Sequence, residues 1–111
     1  MAFLRTNRLA KSSSLNYNDL MNFEWDEAKS EACFEQRGFD FPHVARVFLD
    51  DRRVARSDVR FEYGEERFQL LGAVDGRVYQ VAYTMRGQAI RIISARKANL
   101  REVKHYENGA F

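Results

Sequence analysis

Four cations and two proton-transfer groups in the C-terminal half of this 111-residue chain have the types needed to act on a phosphodiester: Arg67, Arg91, Arg96 and Lys97, with Glu66 and Tyr83. Cleaving RNA without a metal requires a group to take the 2′-OH proton, cations to hold the charge that develops on the phosphorane, and a donor to the departing 5′ oxygen. Arginine suits the middle task, because its planar fork meets phosphate through two N–H groups and stays charged at any relevant pH. Lys97 falls where the spacing predicts the start of a helix, so backbone N–H groups and the ammonium would meet a phosphate together. Glu66, beside Arg67, is the first candidate for proton transfer and Tyr83 the second. Each has a plainer alternative: Glu66 and Arg67 as a surface ion pair, Tyr83 as packing, Arg96 and Lys97 as anchors of the last helix. His43, just after Pro42, is expected to pack or meet solvent, and His105 sits where a cation favours the helix dipole, so neither is given a catalytic role.

The net charge of +2 comes entirely from the first twenty residues, where Arg5, Arg8 and Lys11 outweigh Asp19; the rest sums to zero. Distribution is more informative than the total. From Glu24 to Glu66 twelve acids face seven bases, net −5, whereas from Arg86 to Lys104 six bases face one acid, net +5. Such asymmetry in a small domain produces a local field that attracts a polyanion or an acidic protein. A solvated helix face would carry the same charges. The lone Cys33 cannot form an internal disulfide and no Cys/His cluster offers zinc four ligands, which fits a reduced, cytoplasmic setting. Neither a metal nor a nucleotide cofactor is implied by any loop or ligand pattern, and no apolar run approaches the ~20 residues of a membrane span.

The elements that must position these groups read as α+β. "EWDEAKSEACFEQRG" is a helix with Asp26 as N-cap, Gly38 as stop, and a stripe of Trp25, Ala28, Ala32 and Phe34 or Cys33. "FPHVARVFLDD" is a second helix with Pro42 in its first turn. "RRVARSDV" reads as an edge strand, and "RFQLLGAV", "RVYQVAYTM" and "AIRIISA" as an antiparallel meander joined by Asp75-Gly76 and by Arg86-Gly87-Gln88. Ser94 is expected to close the last strand and cap a final helix that starts near Lys97, with Leu100 and Val103 on its packing side. If Ile90 and Ile92 face the helices, period-two alternation sends Arg91, with Tyr79 or Tyr83, to an opposite face that carries no second core. The expected division is a flexible extension over residues 1–20 and a domain over 21–111, so a chain beginning at Met21 should keep the fold.

Four stretches in register, "FEWDEAK", "FDFPHVARVFLDD", "YGEERFQLLG" and "RIISARKANLREVKHYE", resemble the BrnT family of ribonuclease toxins, RelE-like members of type II toxin-antitoxin systems, from about Phe23 to Tyr106. The resemblance implies two N-terminal helices, a four-stranded, mainly antiparallel sheet and a C-terminal helix. It also implies RNA cleavage and neutralisation by a BrnA-like antitoxin that binds operator DNA. Lys29, Arg37 and Arg101 are then candidates for RNA binding. One departure stands out: where the family commonly has Asn and then Lys-His-Gly, this chain has Cys33 and Gln36-Arg37-Gly38. If that histidine moves protons in relatives, Arg37 takes over an electrostatic role here or activity is weaker. A non-catalytic module whose basic sheet face docks an acidic partner is the alternative.

Overall fold

A computed structural model describes residues 12–18, 21–58 and 64–111. Its elements are β1 (Ser12–Asn18), β2 (Met21–Asp26), α1 (Glu27–Arg37), α2 (Phe41–Val44, continued as a 3-10 turn over Ala45–Leu49), β3 (Val54–Asp58), β4 (Arg67–Val74), β5 (Arg77–Arg86), β6 (Ala89–Lys97) and α3 (Leu100–Asn108). The strands form one six-stranded mixed sheet in the order β1-β2-β6-β5-β4-β3. The α+β class and the antiparallel meander from β3 to β6 match the sequence reading, and β3 is an edge strand as expected.

Two strands were not anticipated. "MNFEWD" alternates with period two, burying Phe23 and Trp25 between more exposed neighbours, and lies parallel to β6. β1 then pairs antiparallel along β2, from Ser12 opposite Asp26 to Asn18 opposite Met21. The extension expected over residues 1–20 therefore contains an edge strand; residues 1–11 and 19–20 of it lie outside the described residues.

The caps follow the sequence. Asp26 accepts the Lys29 N–H, Gly38 closes α1 in the left-handed region, and Asp40 caps α2 by accepting the His43 N–H at 3.0 Å. Asp75 and Gly76 both take positive φ, the mirror-image two-residue turn that suits a right-twisted hairpin. The last cap differs from expectation. β6 runs on to Lys97, and Asn99, not Ser94, caps α3 through a capping box with Glu102. Lys97 is thus the end of a strand and not the start of a helix.

One sheet face packs α1, α2 and the 3-10 turn around Phe23, Phe41, Val44, Val47, Leu70, Val81 and Ile92. Gly72 allows that approach, since a Cβ there would sit 2.8 Å from the Cβ of Val47. The opposite face, expected to lack a core, is partly covered by α3. Leu71, Ala98 and Tyr106 are buried there, with Val54, Ala73, Val78, Val103 and Phe111 packed against them. Leu100 is 83% exposed, so Val103 and Tyr106 carry the packing side of α3. In α1 it is Cys33 that is buried, while Phe34 is 58% exposed. Among the described residues no helix is long and apolar enough to cross a membrane.

A single carboxylate ties α3 to the rest. Asp50 accepts the Tyr106 hydroxyl at 2.6 Å, the Ala73 N–H at 2.8 Å and the Arg52 N–H at 2.9 Å. Burial pushes its pKa up, but these hydrogen bonds and the Arg52 charge outweigh it and hold the carboxyl below the usual range. Tyr106→Phe should cost about 1.5 kcal/mol at neutral pH, because a hydrogen bond to a charged acceptor is lost in a partly buried setting. A carboxylate with a depressed folded pKa stabilises above its unfolded value and loses that contribution as pH falls through about 4 toward the folded value. Urea unfolding at pH 7 and pH 3 checks both points: the gap between wild type and Tyr106→Phe should narrow at the lower pH.

Candidate functional site

The candidate residues are distributed over both faces of the sheet by a one-residue bulge in β6. Tyr83 pairs with Ile92 but Ala82 pairs with Ser94, so Ile93 has no partner and the alternation reverses beyond it. Before the bulge Ile92 points into the main core; after it Ala95 does, opposite Val81. Arg91 and Arg96 consequently share the face that carries α3, while Lys97 joins Tyr79 on the helix-covered face.

On the α3 face a polar pocket of about 260 Å³ gathers Arg67, Arg96, Asp58, Gln69, Gln80 and Ser94, with Ala82 and Ile93 completing the wall. Strand register explains the convergence, since Asp58 is opposite Arg67, Arg67 opposite Thr84, and Gln80 opposite Arg96. A chain of amides orders the rim. Arg56 donates to the Gln69 carbonyl oxygen at 3.0 Å, and the Gln69 amide donates to Asp58 at 3.5 Å. Arg67 lies 3.6 Å from Glu65.

Arg96 is fixed by a two-pronged pair with Glu102, both N–H···O contacts at 2.8 Å. The Arg96 hydrogen bonds come first among the causes that hold Glu102 below the ordinary carboxylate range, and Glu102 in turn raises Arg96 further. Those two donors and a third to the Lys97 carbonyl at 3.3 Å leave two of the five guanidinium N–H groups for a ligand. The pocket thus brings two arginines and a carboxylate to one recess.

The other candidates are placed elsewhere. Arg91 is on the expected face but is held by Glu24 at 3.2 Å and Ser12 at 3.3 Å. The Glu66 carbonyl accepts the Thr84 hydroxyl at 2.6 Å, and Glu66 itself is exposed and does not line the pocket. Tyr83 and Tyr79, one of which was expected beside Arg91, both face the helices. Tyr83 stacks on Phe68 at 5.3 Å and meets Phe48 edge-on at 5.1 Å, and burial raises its pKa. Lys97 lines a separate cavity of about 350 Å³ with Arg37, His43 and Tyr79. Lys29 and Arg37 border a groove between α1 and β6, and Arg101 is exposed in the first turn of α3. Tyr63, in the resembling stretch "YGEERFQLLG", lies outside the described residues.

Residues 25–102 match the family model described as ribonuclease toxin, BrnT, of type II toxin-antitoxin system. The chain belongs to the BrnT family. No curated protein matches it. The matched span opens at Trp25, whose strand flanks β6, and closes at Glu102, the partner of Arg96, so it encloses every residue of the polar pocket. Membership in a type II toxin-antitoxin family implies an antitoxin partner.

Asp58, Gln69 and Gln80 were not singled out in the sequence and Ser94 was read only as a helix cap, although polar residues at alternate positions inside "RFQLLGAV" and "RVYQVAYTM" are a readable sign of a polar sheet face. Glu102→Ala removes both half of a capping box and the partner of Arg96. Loss of the hydrogen bond from the Asn99 N–H should by itself cost about 1 kcal/mol, the Asn99 cap on the Glu102 N–H remaining, and the penalty should fade as pH drops below about 4, where a carboxylate with a lowered folded pKa stops contributing. Thermal melts of the two proteins from pH 7 to pH 3 measure both effects.

Proposed function

We propose that this BrnT-family protein is a metal-independent endoribonuclease whose active site is the polar pocket on the α3 face. The supporting observation is the meeting there of Arg67 and Arg96, from two different strands, with the carboxylate of Asp58. The 2′ oxygen of the substrate attacks the adjacent phosphorus, its proton passes to Asp58, the P–O5′ bond breaks as the departing 5′ oxygen takes a proton from solvent water, and the products are a 2′,3′-cyclic phosphate and a 5′ hydroxyl. Arg67 and Arg96 hold the equatorial oxygens as negative charge grows on them. Asp58 takes the task first considered for Glu66, because it lines the pocket and Glu66 does not. Gln69 and Gln80 have amide groups suited to orienting the nucleotide, and Gln80 is 7% exposed, which fits a fixed position. RNA cleavage of this kind would inhibit translation, and a BrnA-like antitoxin bound to operator DNA is the partner this reading supplies.

Arg96→Lys keeps a cation and loses the fork, so turnover should fall roughly 10²-fold with RNA affinity little changed, as for the loss of one preorganised donor. Asp58→Asn should lower turnover by roughly 10² to 10⁴ as expected for loss of a general base. Cleavage of a labelled RNA in excess chelator, alongside affinity for an uncleavable 2′-O-methyl analogue, checks all three statements. Full turnover in folded Arg96→Lys and Asp58→Asn proteins would move the chemistry out of this pocket, and loss of wild-type activity in chelator would remove the metal-independent mechanism.

A further inference from the structure

Three recesses on this molecule are joined end to end by shared residues. The polar pocket shares Ile93 and Ser94 with a groove of about 280 Å³ between α1 and β6 that Lys29, Gln36 and Arg37 also border. That groove shares Arg37 with the cavity of about 350 Å³ that holds Lys97, His43 and Tyr79. The passage between the faces exists because β2 pairs with β6 only as far as Ile92; from Ile93 onward β6 has a strand neighbour on the β5 side alone among the described residues.

The far cavity has the chemistry of a nucleotide subsite. Arg37 and Lys97, both exposed, supply two cations for a phosphate. Phe34, 58% exposed on the rim, and the His43 ring offer faces for a base. The Tyr79 hydroxyl, 3.5 Å from His43 Nε2, holds the imidazole in place, with the two rings perpendicular at 5.8 Å. Asp40, the one acid lining the cavity among the described residues, already accepts the His43 backbone N–H. Glu27, Glu31 and Glu35 lie along the neighbouring recess on the other flank of α1, so a polyanion entering the cavity has its favourable continuation through the Lys29 groove.

We infer that single-stranded RNA follows this path, from the catalytic pocket over the free flank of β6 along Lys29 and Arg37, and seats a second nucleotide between Lys97 and His43. The inference rests on the ribonuclease reading for its substrate class, and duplex RNA does not fit a route that turns around a sheet edge. Arg37, the departure from the family's usual histidine, is the residue shared by the groove and the cavity, so it contacts the strand at the turn.

The test uses binding of an uncleavable single-stranded oligonucleotide, eight 2′-deoxy nucleotides long, so it does not depend on cleavage. With the full chain isotopically labelled, the His43 ring signals should move on titration together with the backbone amides of Ser94 and Arg96. Lys97→Gln and Arg37→Gln should each weaken binding about three- to tenfold, and each should lower the slope of log affinity against log salt by roughly 0.7, the value for one phosphate on a single strand. Both residues are exposed, and matching thermal melts confirm folding. Movement at Ser94 and Arg96 with His43 silent would overturn the path and leave the catalytic reading standing. No movement anywhere, or movement of His43 only with an acidic peptide such as oligoglutamate, would overturn it as well. Failure of RNA cleavage with an intact His43 response would instead sink the catalytic reading.

Discussion

The bulge at Ile93 is the constraint on which the arrangement of this molecule depends. Strict alternation from Ile92 would turn residue 96 toward the helices, into the row where Ala95 now packs against fully buried Val81. A guanidinium there would lose its hydration without a carboxylate to meet it, at a cost of several kcal/mol. One extra residue in β6 lets a methyl group fill that space and returns Arg96 to the polar face. The same shift sends Lys97 to the far side. Two adjacent cations in "SARKA" thus serve different recesses, and the bulge is also where β6 loses β2 as a neighbour.

The polar face is finished by α3, and α3 is held by polar contacts at two points. Tyr106 reaches Asp50 near its C-terminus, and Glu102 reaches Arg96 in its first turn. Glu102 has two tasks. It closes the capping box by accepting the Asn99 N–H at 3.0 Å and it braces the arginine that lines the pocket. A guanidinium tethered on both Nη atoms has little further freedom to lose, which in the catalytic reading proposed above is the preorganisation that electrostatic stabilisation of a phosphorane would require. The same geometry makes the pocket depend on the seating of α3, so packing of Leu71, Val103 and Tyr106 has consequences at Arg96 as well as for stability.

Much of this was legible in the sequence because local rules set it. Asp26, Gly38 and Pro42 mark helix ends by backbone chemistry, and Asp75-Gly76 marks a hairpin because its turn needs two positive φ values. The features that were missed depend on tertiary pairing. "NFEWD" carries a clear period-two signal, but the helix cap that follows absorbs it unless a parallel partner is known. Nothing local in "RIISARK" marks Ile93 as unpaired, since the bulge is defined by the register against β5. Without that register Arg96, Lys97, Tyr79 and Tyr83 could not be sorted by face. Arg67 and Arg96 were found from residue type, yet their carboxylate neighbour Asp58 becomes visible only when β3 is laid beside β4.

The charge asymmetry of the sequence acquires a different meaning once pairs are drawn. Of the six bases between Arg86 and Lys104, Arg96 is paired with Glu102, the acid already counted in the segment's net +5, and Arg91 is paired with Glu24 from outside the segment, so net +5 overstates by one the charge left without a partner acid. With charges on residues 21–111 summing to zero and a screening length of about 8 Å at physiological salt, long-range attraction contributes little. The RNA recognition proposed above would then come from short-range placement. Three exposed cations, Lys29, Arg37 and Lys97, lie along the flank of β6 beyond its pairing with β2, while the α1 acids Glu27, Glu31 and Glu35 line the recess beside it. For the RNA path proposed above, acids on one side of α1 and cations on the other would supply a direction, over one helix width, that net charge does not.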